Sequence, residues 1–297
     1  MWGRMRGKGC QPCRFSIFYC GCKPLKSIHK RHFDCKVTKK RVQDKIHLFF
    51  SSMQIIIRKF FYLFKKNYFC SRFQEMMKTS EIYTAAQLIT FIQQVGFLPL
   101  LEGDIRGFSA EAVVADDCRY VILPDGGWDW PLWKWKSEII TEGNCVYGKF
   151  FAGKAGFISK EWWPDFCNYR RSRSVEPESG SIEETILFTL QERGSMITRE
   201  LRAACGFTGP KMRSRFDNYI TRLQMDCRIV TEDFIYPRDK HDREYGWGWS
   251  LLALPEQLLG RQACQCARSA EESYERIKSH FKTLLPEATD RQITRLL

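Results

Sequence analysis

The stretch that decides the fold is GSMITRELRAACGFTGPKMRSRFDNYITRLQMDCRIVTEDFIY, residues 194–236. Ser195 to Ile197 reads as a short strand, and Thr198 as the cap of a helix from Arg199 to Cys205 with Leu201 turned inward. Gly206-Phe207-Thr208-Gly209 is a tight connection. Pro210 stands where a helix begins, and Phe216, Ile220 and Leu223 follow at helical spacing. Arg228 to Tyr236 is β-like. Upstream, Ser181 precedes a helix carrying Ile182, Ile186, Leu187 and Leu190 on one face, and Gly194 stops it. Downstream, a charged loop from Pro237 to Arg243 leads into a second β-like run, Glu244 to Leu252. Helix, short strand, helix, turn, helix, hairpin is the element order of a winged helix.

In that arrangement the second helix of the helix-turn-helix offers its N-terminal residues to the major groove. Here it begins Pro210-Lys211-Met212-Arg213-Ser214-Arg215, with cations where the helix dipole disfavours them. Contact with phosphate or base edges would explain the placement. Residues 199–228 hold seven basic side chains (Arg199, Arg202, Lys211, Arg213, Arg215, Arg222, Arg228) against three acidic ones (Glu200, Asp217, Asp226). Arg199, Arg202, Lys211, Arg213 and Arg215 are therefore the candidate nucleic-acid contacts. In the loop, Asp239, Asp242 and Glu244 offset Arg238, Lys240 and Arg243. The competing reading is a winged helix that contacts protein and wears these charges as a solvated face.

Outward from this unit, residues 171–180 (RSRSVEPESG) are polar, contain a proline and a glycine, and read as a linker. Before them lies a tryptophan-rich α/β region. Ser80 caps its first helix, on which Ile82, Ala85, Ile89 and Ile92 share a face, and Gly96 and Pro99 end it. Ser109 caps a short helix through Ala115. Tyr120 to Leu123 is a short β run that stops at Pro124-Asp125-Gly126-Gly127. Four tryptophans fall between Trp128 and Trp135, with Pro131 opening a helix that ends near Ile140. Cys145 to Phe151 and Ala155 to Ile158 form strands joined through Gly153-Lys154, and Ser159 caps a helix with Trp162, Trp163 and Phe166. Gly148 to Ala155 does not make a phosphate loop: Ala155 follows Lys154 where Ser or Thr is needed, and no following helix presents its N-terminus directly. The tryptophans read as core, or else as a platform for a flipped or single-stranded base. Trp247 and Trp249, alternating with glycine, point to one face and pack on the winged-helix core. The tail from Ala263 to Leu297 is helical, with Tyr274, Ile277, Phe281, Leu284 and Leu285 at helical spacing.

The chain carries a formal net charge of +13, but the excess is local. Residues 1–76 hold 18 Lys and Arg against 3 Asp and Glu; the remaining 221 hold 29 against 31. The first 76 residues also lack alanine entirely while holding ten of the 22 phenylalanines, and they show no sustained helical or alternating period. We read them as a basic leader, either upstream sequence wrongly joined to the protein or a disordered segment, with the native start at Met77 or Met76. The leader lacks the clean apolar core and cleavage site of a signal peptide, and Arg58 and Lys59 break its apolar stretch, so no membrane span is expected. Cys10, Cys13, Cys20, Cys22, His29, His32 and Cys35 do not have the spacing of two matched zinc pairs. Seven scattered cysteines after Met77 fit reduced thiols in the cytoplasm.

Catalytic signatures are scarce. His241 and His280 are the only histidines after Met77, and neither sits in a recognisable constellation. Asp116, Asp117, Asp125 and Asp129 read as solvated loop carboxylates. The expectation is no cofactor and no metal.

Three stretches, GSMITRELRAACG, PKMRSRFDNYITRLQMDCRIV and EYGWGWSLL, resemble the winged-helix modules of the AlkZ and YcaQ group of bacterial DNA glycosylases. The block WDWPLWKWKSEIITEGNCVYGKFFAGKAGFISKEWWPDFCNYRR, residues 128–171, is similar to bacterial proteins described as AlkZ-related, and that resemblance runs from Met77 to the end. Glycosylases of this group excise alkylated bases and place water with a Gln-apolar-Gln or Gln-apolar-Asp motif. Gln224-Met225-Asp226 matches those letters, at the end of the recognition helix rather than early in the fold, so the resemblance implies Gln224 and Asp226 as catalytic candidates. The group is longer, with tandem winged helices, where this chain shows one.

The expected fold is α+β: a leader (1–76), a tryptophan-rich α/β domain (77–170), a linker (171–180), a winged-helix domain (181–255) and a helical C-terminal tail (256–297). The expected function is DNA binding related to alkylation repair. An active glycosylase and a module binding a protein partner are the alternatives.

Overall fold

A computed structural model of the chain describes residues 81–297 except Asp125, Pro210 and Lys211. The zinc-like leader cysteines and histidines, Ser80, and the helix start expected at Pro210 lie outside the described residues. What is described is a mixture of helices and antiparallel sheet, the expected α+β class.

Helix α1 (Ala85–Val95) is closed by a capping box: the Thr84 hydroxyl accepts from the Gln87 amide, and the Gln87 side chain accepts from the Thr84 amide. Ile82 is therefore not in the helix; its backbone bridges to Val114 instead. Gly96 ends α1 at a φ of 77°, a left-handed conformation suited to glycine, with the Trp162 ring packed where a Cβ would stand. Pro99 lies within β1 (Phe97–Pro99), which is tolerable because β1 is an edge strand. Ser109 caps the short α2 (Ala110–Val113) as expected. Strands β2 (Val121–Ile122) and β3 (Trp128–Asp129) form a small hairpin, and Pro131 opens α3 (Pro131–Glu142). Ala152 and Gly153, both at positive φ, turn the chain between β4 (Cys145–Phe151) and β5 (Lys154–Ser159). The expected hairpin is present, but Lys154 is the first residue of β5, paired with Phe151, and not its tip. Ser159 is a strand residue rather than a cap, and α4 (Trp163–Arg173) starts without a side-chain cap.

In the second half, Ser181 caps α5 (Ile182–Arg193) and Gly194 ends it. After β6 (Met196–Ile197), Thr198 is the first residue of α6 (Thr198–Ala204) and not its cap, because its hydroxyl donates to the Ser250 carbonyl. Helix α7 (Arg213–Met225) leads to β7 (Val230–Ile235) and its partner β8 (Trp249–Ala253). The short α8 (Pro255–Leu258), then α9 (Ala270–Leu284) and α10 (Asp290–Leu296), complete the chain.

One sheet runs through both halves. Its six strands lie in the order β1-β5-β4-β7-β8-β6, with every ladder antiparallel, and the halves join where Tyr147 of β4 pairs with Thr231 of β7. Two hydrophobic cores flank it. One gathers Leu88, Phe97, Phe150, Trp163 and Phe166 with Ile277 and Phe281 of the tail; the other gathers Ile186, Leu190, Leu201, Phe216, Ile220 and Leu223. The tail is therefore part of the body. Each fully buried side chain of this size contributes about 1.5–3 kcal/mol. Asp165 pins the tail further, accepting bonds from Arg268, Ser273 and Arg276 while almost wholly buried. Among the described residues no helix is long and apolar enough to cross a membrane.

Candidate nucleic-acid interface

Helix α7 is divided along its length. Phe216, Ile220, Leu223 and Gln224 face the fold, while Ser214, Arg215, Asn218 and Arg222 share the solvent side at helical spacing. The C-terminal half is docked on the first half of the chain. Lys149 of β4 donates its amine to Thr221 (3.1 Å) and its backbone amide to Gln224 (3.2 Å), and Arg170 of α4 donates to the Met225 carbonyl (3.3 Å). The N-terminal half is open: Arg213 is 77% exposed and keeps only a 4.0 Å approach to Asp217. Arg215 is also exposed, with no ion pair among the described residues. Lys211 lies outside the described residues.

The other candidate cations are dispersed. Arg199, at the start of α6, lies over the Trp249 ring at 4.8 Å, a cation–π contact. Arg202 is half-buried on the same helix. Phe207 packs on Phe216 in the connection between α6 and α7. In the loop, Arg238 pairs with Asp242 and Glu244, and Arg243 with Asp239, so those cations are neutralised by their neighbours, as their alternation with acids implied.

Gln224 and Asp226 do not act at one point. Gln224 is 2% exposed; its oxygen accepts from the Lys149 amide, and its nitrogen donates to the Thr231 hydroxyl at 3.2 Å. It ties α7 to the strands on either side of the sheet junction. Asp226 is half-buried at the C-terminal cap of α7, where burial pushes its carboxyl up while Arg228, Arg170 and Arg222 draw it back. It lines two clefts. One, of about 450 Å³, is walled by Tyr169, Arg170, Arg173 and Tyr274; the other, of about 380 Å³, by Glu176, Arg222 and Arg228. Sequence reasoning passed over this Tyr-Arg-Arg-Ser-Arg run because it placed the start of the linker at Arg171, whereas α4 continues to Arg173. The visible signal was basic residues concentrated at a helix C-terminus.

The tryptophans divide too. Trp163 is wholly buried, but Trp128 and Trp247 are half exposed and stacked on each other, and Tyr120 also stacks on Trp128. Trp247 precedes β8 and packs on Trp128, Trp130 and Trp133 rather than on the second core, against the sequence expectation. Beneath them the Lys136 amine is fully buried between the Trp133 and Phe234 rings, 3.1 and 3.6 Å from their centroids, with no hydrogen-bond partner. Burial lowers its pKa to about 6. The two ring faces act the other way, since they favour the charged form. His280 is structural: it stacks on Trp162 and bonds the Val95 carbonyl. Among the described residues no group of three or more His, Cys, Asp or Glu is placed to hold a metal ion.

Fold and surface together describe an α+β protein whose continuous antiparallel sheet carries a helix with a free, cationic N-terminal half. The model of the AlkZ-related family matches residues 82–297, and the chain belongs to that family, whose name relates it to the AlkZ group of DNA-repair glycosylases. No curated protein and no solved structure matches it.

Proposed function

We propose that the chain is a DNA-binding protein in which α5, β6, α6, α7 and the β7–β8 hairpin act as a winged helix, with α7 as the recognition helix. One observation carries this reading: the face of α7 anchored to the body is its C-terminal half, while Arg213 and Arg215 stand free at the end a major groove would receive. Arg199 and Arg202 assist as phosphate contacts, and Lys211 extends the same cationic run in sequence. DNA in the cytoplasm is the partner this reading implies. The test is binding of the full chain to duplex DNA across a salt series. Arg213→Ala with Arg215→Ala should weaken binding and lower the salt slope by about one for each phosphate no longer neutralised. Unchanged affinity and slope would reject the assignment.

A second reading, an active glycosylase, is favoured by the half-buried carboxyl of Asp226 opening on two clefts. Burial raises the basicity of this carboxyl, which suits it to take a proton from an attacking water. Its test is release of base from alkylated duplex. Activity that disappears in Asp226→Asn, with DNA binding retained, supports it; no release above a buffer control removes it.

A further inference from the structure

Trp247 is placed by its neighbours in the chain. It stands between Gly246 and Gly248, both at positive φ (76° and 71°), and a Cβ on Gly248 would press on the Tyr236 ring at 3.1 Å. Glycine alone adopts this backbone readily, and it delivers the Trp247 ring to Trp128. The loop before it is a closed turn. Arg238 bridges to Glu244, and the Asp239 carboxylate accepts from the His241 and Arg243 amides.

Where the ring arrives, three aromatic side chains form a column. Tyr120 stacks on Trp128 at 5.6 Å and Trp128 on Trp247 at 4.9 Å, each pair 22° from parallel. Trp130 braces the column edge-on, 6.0 Å from both Tyr120 and Trp247. Yet the column is not core. Tyr120 is 49% exposed, Trp128 45% and Trp247 49%. Ile122, opposite Trp128 in the β2–β3 ladder, is exposed as well. Apolar area left in water as one strip, on a braced support, marks a binding surface.

We propose that Tyr120, Trp128 and Trp247 are a stacking platform for unpaired DNA bases, so that the chain favours DNA carrying a single-stranded segment. The proposal rests on the DNA-binding reading, in which the loop that ends at Trp247 is the wing beside α7. That loop has little charge to offer a phosphate, because Arg238 and Arg243 are already paired with Asp239, Asp242 and Glu244. What it offers is ring surface. Every base has a π face, and stacking on aromatic side chains holds single strands without regard to sequence. A base inside a duplex has both faces covered by its neighbours, so an unpaired base is the one that can add to the column. Arg213 and Arg215 then supply the salt-dependent part of binding, and the rings supply a part that salt barely touches.

The experiment compares three probes with the full chain: a blunt duplex, the same duplex with a thymidine tail, and the same duplex with an abasic tail of equal length. The two tails carry the same phosphates and differ only in their bases. The thymidine tail should be preferred over the abasic one by roughly fivefold or more, at low and high salt alike, and should quench part of the tryptophan emission. Trp128→Ala should erase that preference, and Trp128→Phe, which keeps a ring, should retain most of it. Because Trp128→Ala can disturb the hairpin, Tyr120→Leu provides a second variant with the same expected direction. Equal affinity for the two tails, with the blunt duplex bound, overturns the platform and leaves the DNA-binding reading standing. A preference that survives in both Trp128→Ala and Tyr120→Leu overturns the assignment to these rings. A preference for thymidine without salt-dependent binding of the blunt duplex keeps the platform and rejects the role of α7. A dimer that Trp128→Ala splits, with no preference between tails, would give the surface to a second copy of the chain instead.

Discussion

Trp247 stacks on Trp128 with ring centroids 4.9 Å apart and planes 22° from parallel. Through this contact, and through the Trp133 indole nitrogen donating to the Trp247 carbonyl at 3.2 Å, the end of the loop between β7 and β8 is fastened to the β2–β3 hairpin and α3. A stacked pair of this kind contributes about 0.5–1.5 kcal/mol beyond area burial. Trp247→Ala and Trp128→Ala should each lower the denaturant midpoint, and the double variant should fall short of additivity by about that amount. Strict additivity would mean that the rings are neighbours without coupling.

Lys136 makes stability depend on pH. Its folded-state pKa, about 6, lies below the ordinary lysine value. Between the two values the unfolded chain binds a proton that the folded chain does not, so stability is present at high pH and is lost as pH falls through that window. The slope is at most about 1.4 kcal/mol per pH unit for one group, and the Trp133 and Phe234 ring faces reduce it. Lys136→Met should flatten the curve of unfolding free energy between pH 7 and 10 and raise stability at pH 7. A curve of unchanged slope would show that the amine remains charged in its aromatic slot.

Asp165 is the anchor of the tail. Asp165→Ala removes three tail contacts at once, although Arg268 stays solvated and Arg276 keeps Glu161. Leaving the buried Ser273 hydroxyl without this acceptor costs about 1–3 kcal/mol. Thermal unfolding should show a loss of that order. Amide exchange should accelerate first in α9, whose Ser273 also loses its acceptor.

Gln224 separates architecture from chemistry. Gln224→Met keeps the volume but leaves the Lys149 amide and the Thr231 hydroxyl without their partners, costing about 1–3 kcal/mol for each group left unsatisfied. Lower stability with unchanged DNA affinity is the expected result. A change confined to base release would instead give Gln224 a catalytic part.

What could be read in the sequence was what neighbours in the sequence decide. Ser109 and Ser181 cap because each precedes an apolar face and bonds three residues on, and a hairpin follows Phe151, although its turn is Ala152-Gly153 and not the expected Gly153-Lys154. Ser159 and Thr198 have the same capping chemistry, yet β5 claims the first and the Ser250 carbonyl the second. Partners distant in sequence were invisible for the same reason. Nothing near Asp165 announces Arg268 or Arg276, and nothing near Tyr147 announces Thr231. The cationic start of α7 was legible as composition, but its exposure depended on Lys149 and Arg170 gripping the other end. The letters Gln-Met-Asp could not reveal that the first of them belongs to the buried face of Phe216, Ile220 and Leu223.

The pairing of Tyr147 with Thr231 also bears on how the protein could meet a ligand. Two hydrophobic cores usually imply two bodies that can swing, and a swinging pair can adjust its grip. Here the ladder passes from one core to the other, and Gln224 and Arg170 brace it from the side. The free end of α7 is therefore carried at a set pitch, like a tooth on a comb.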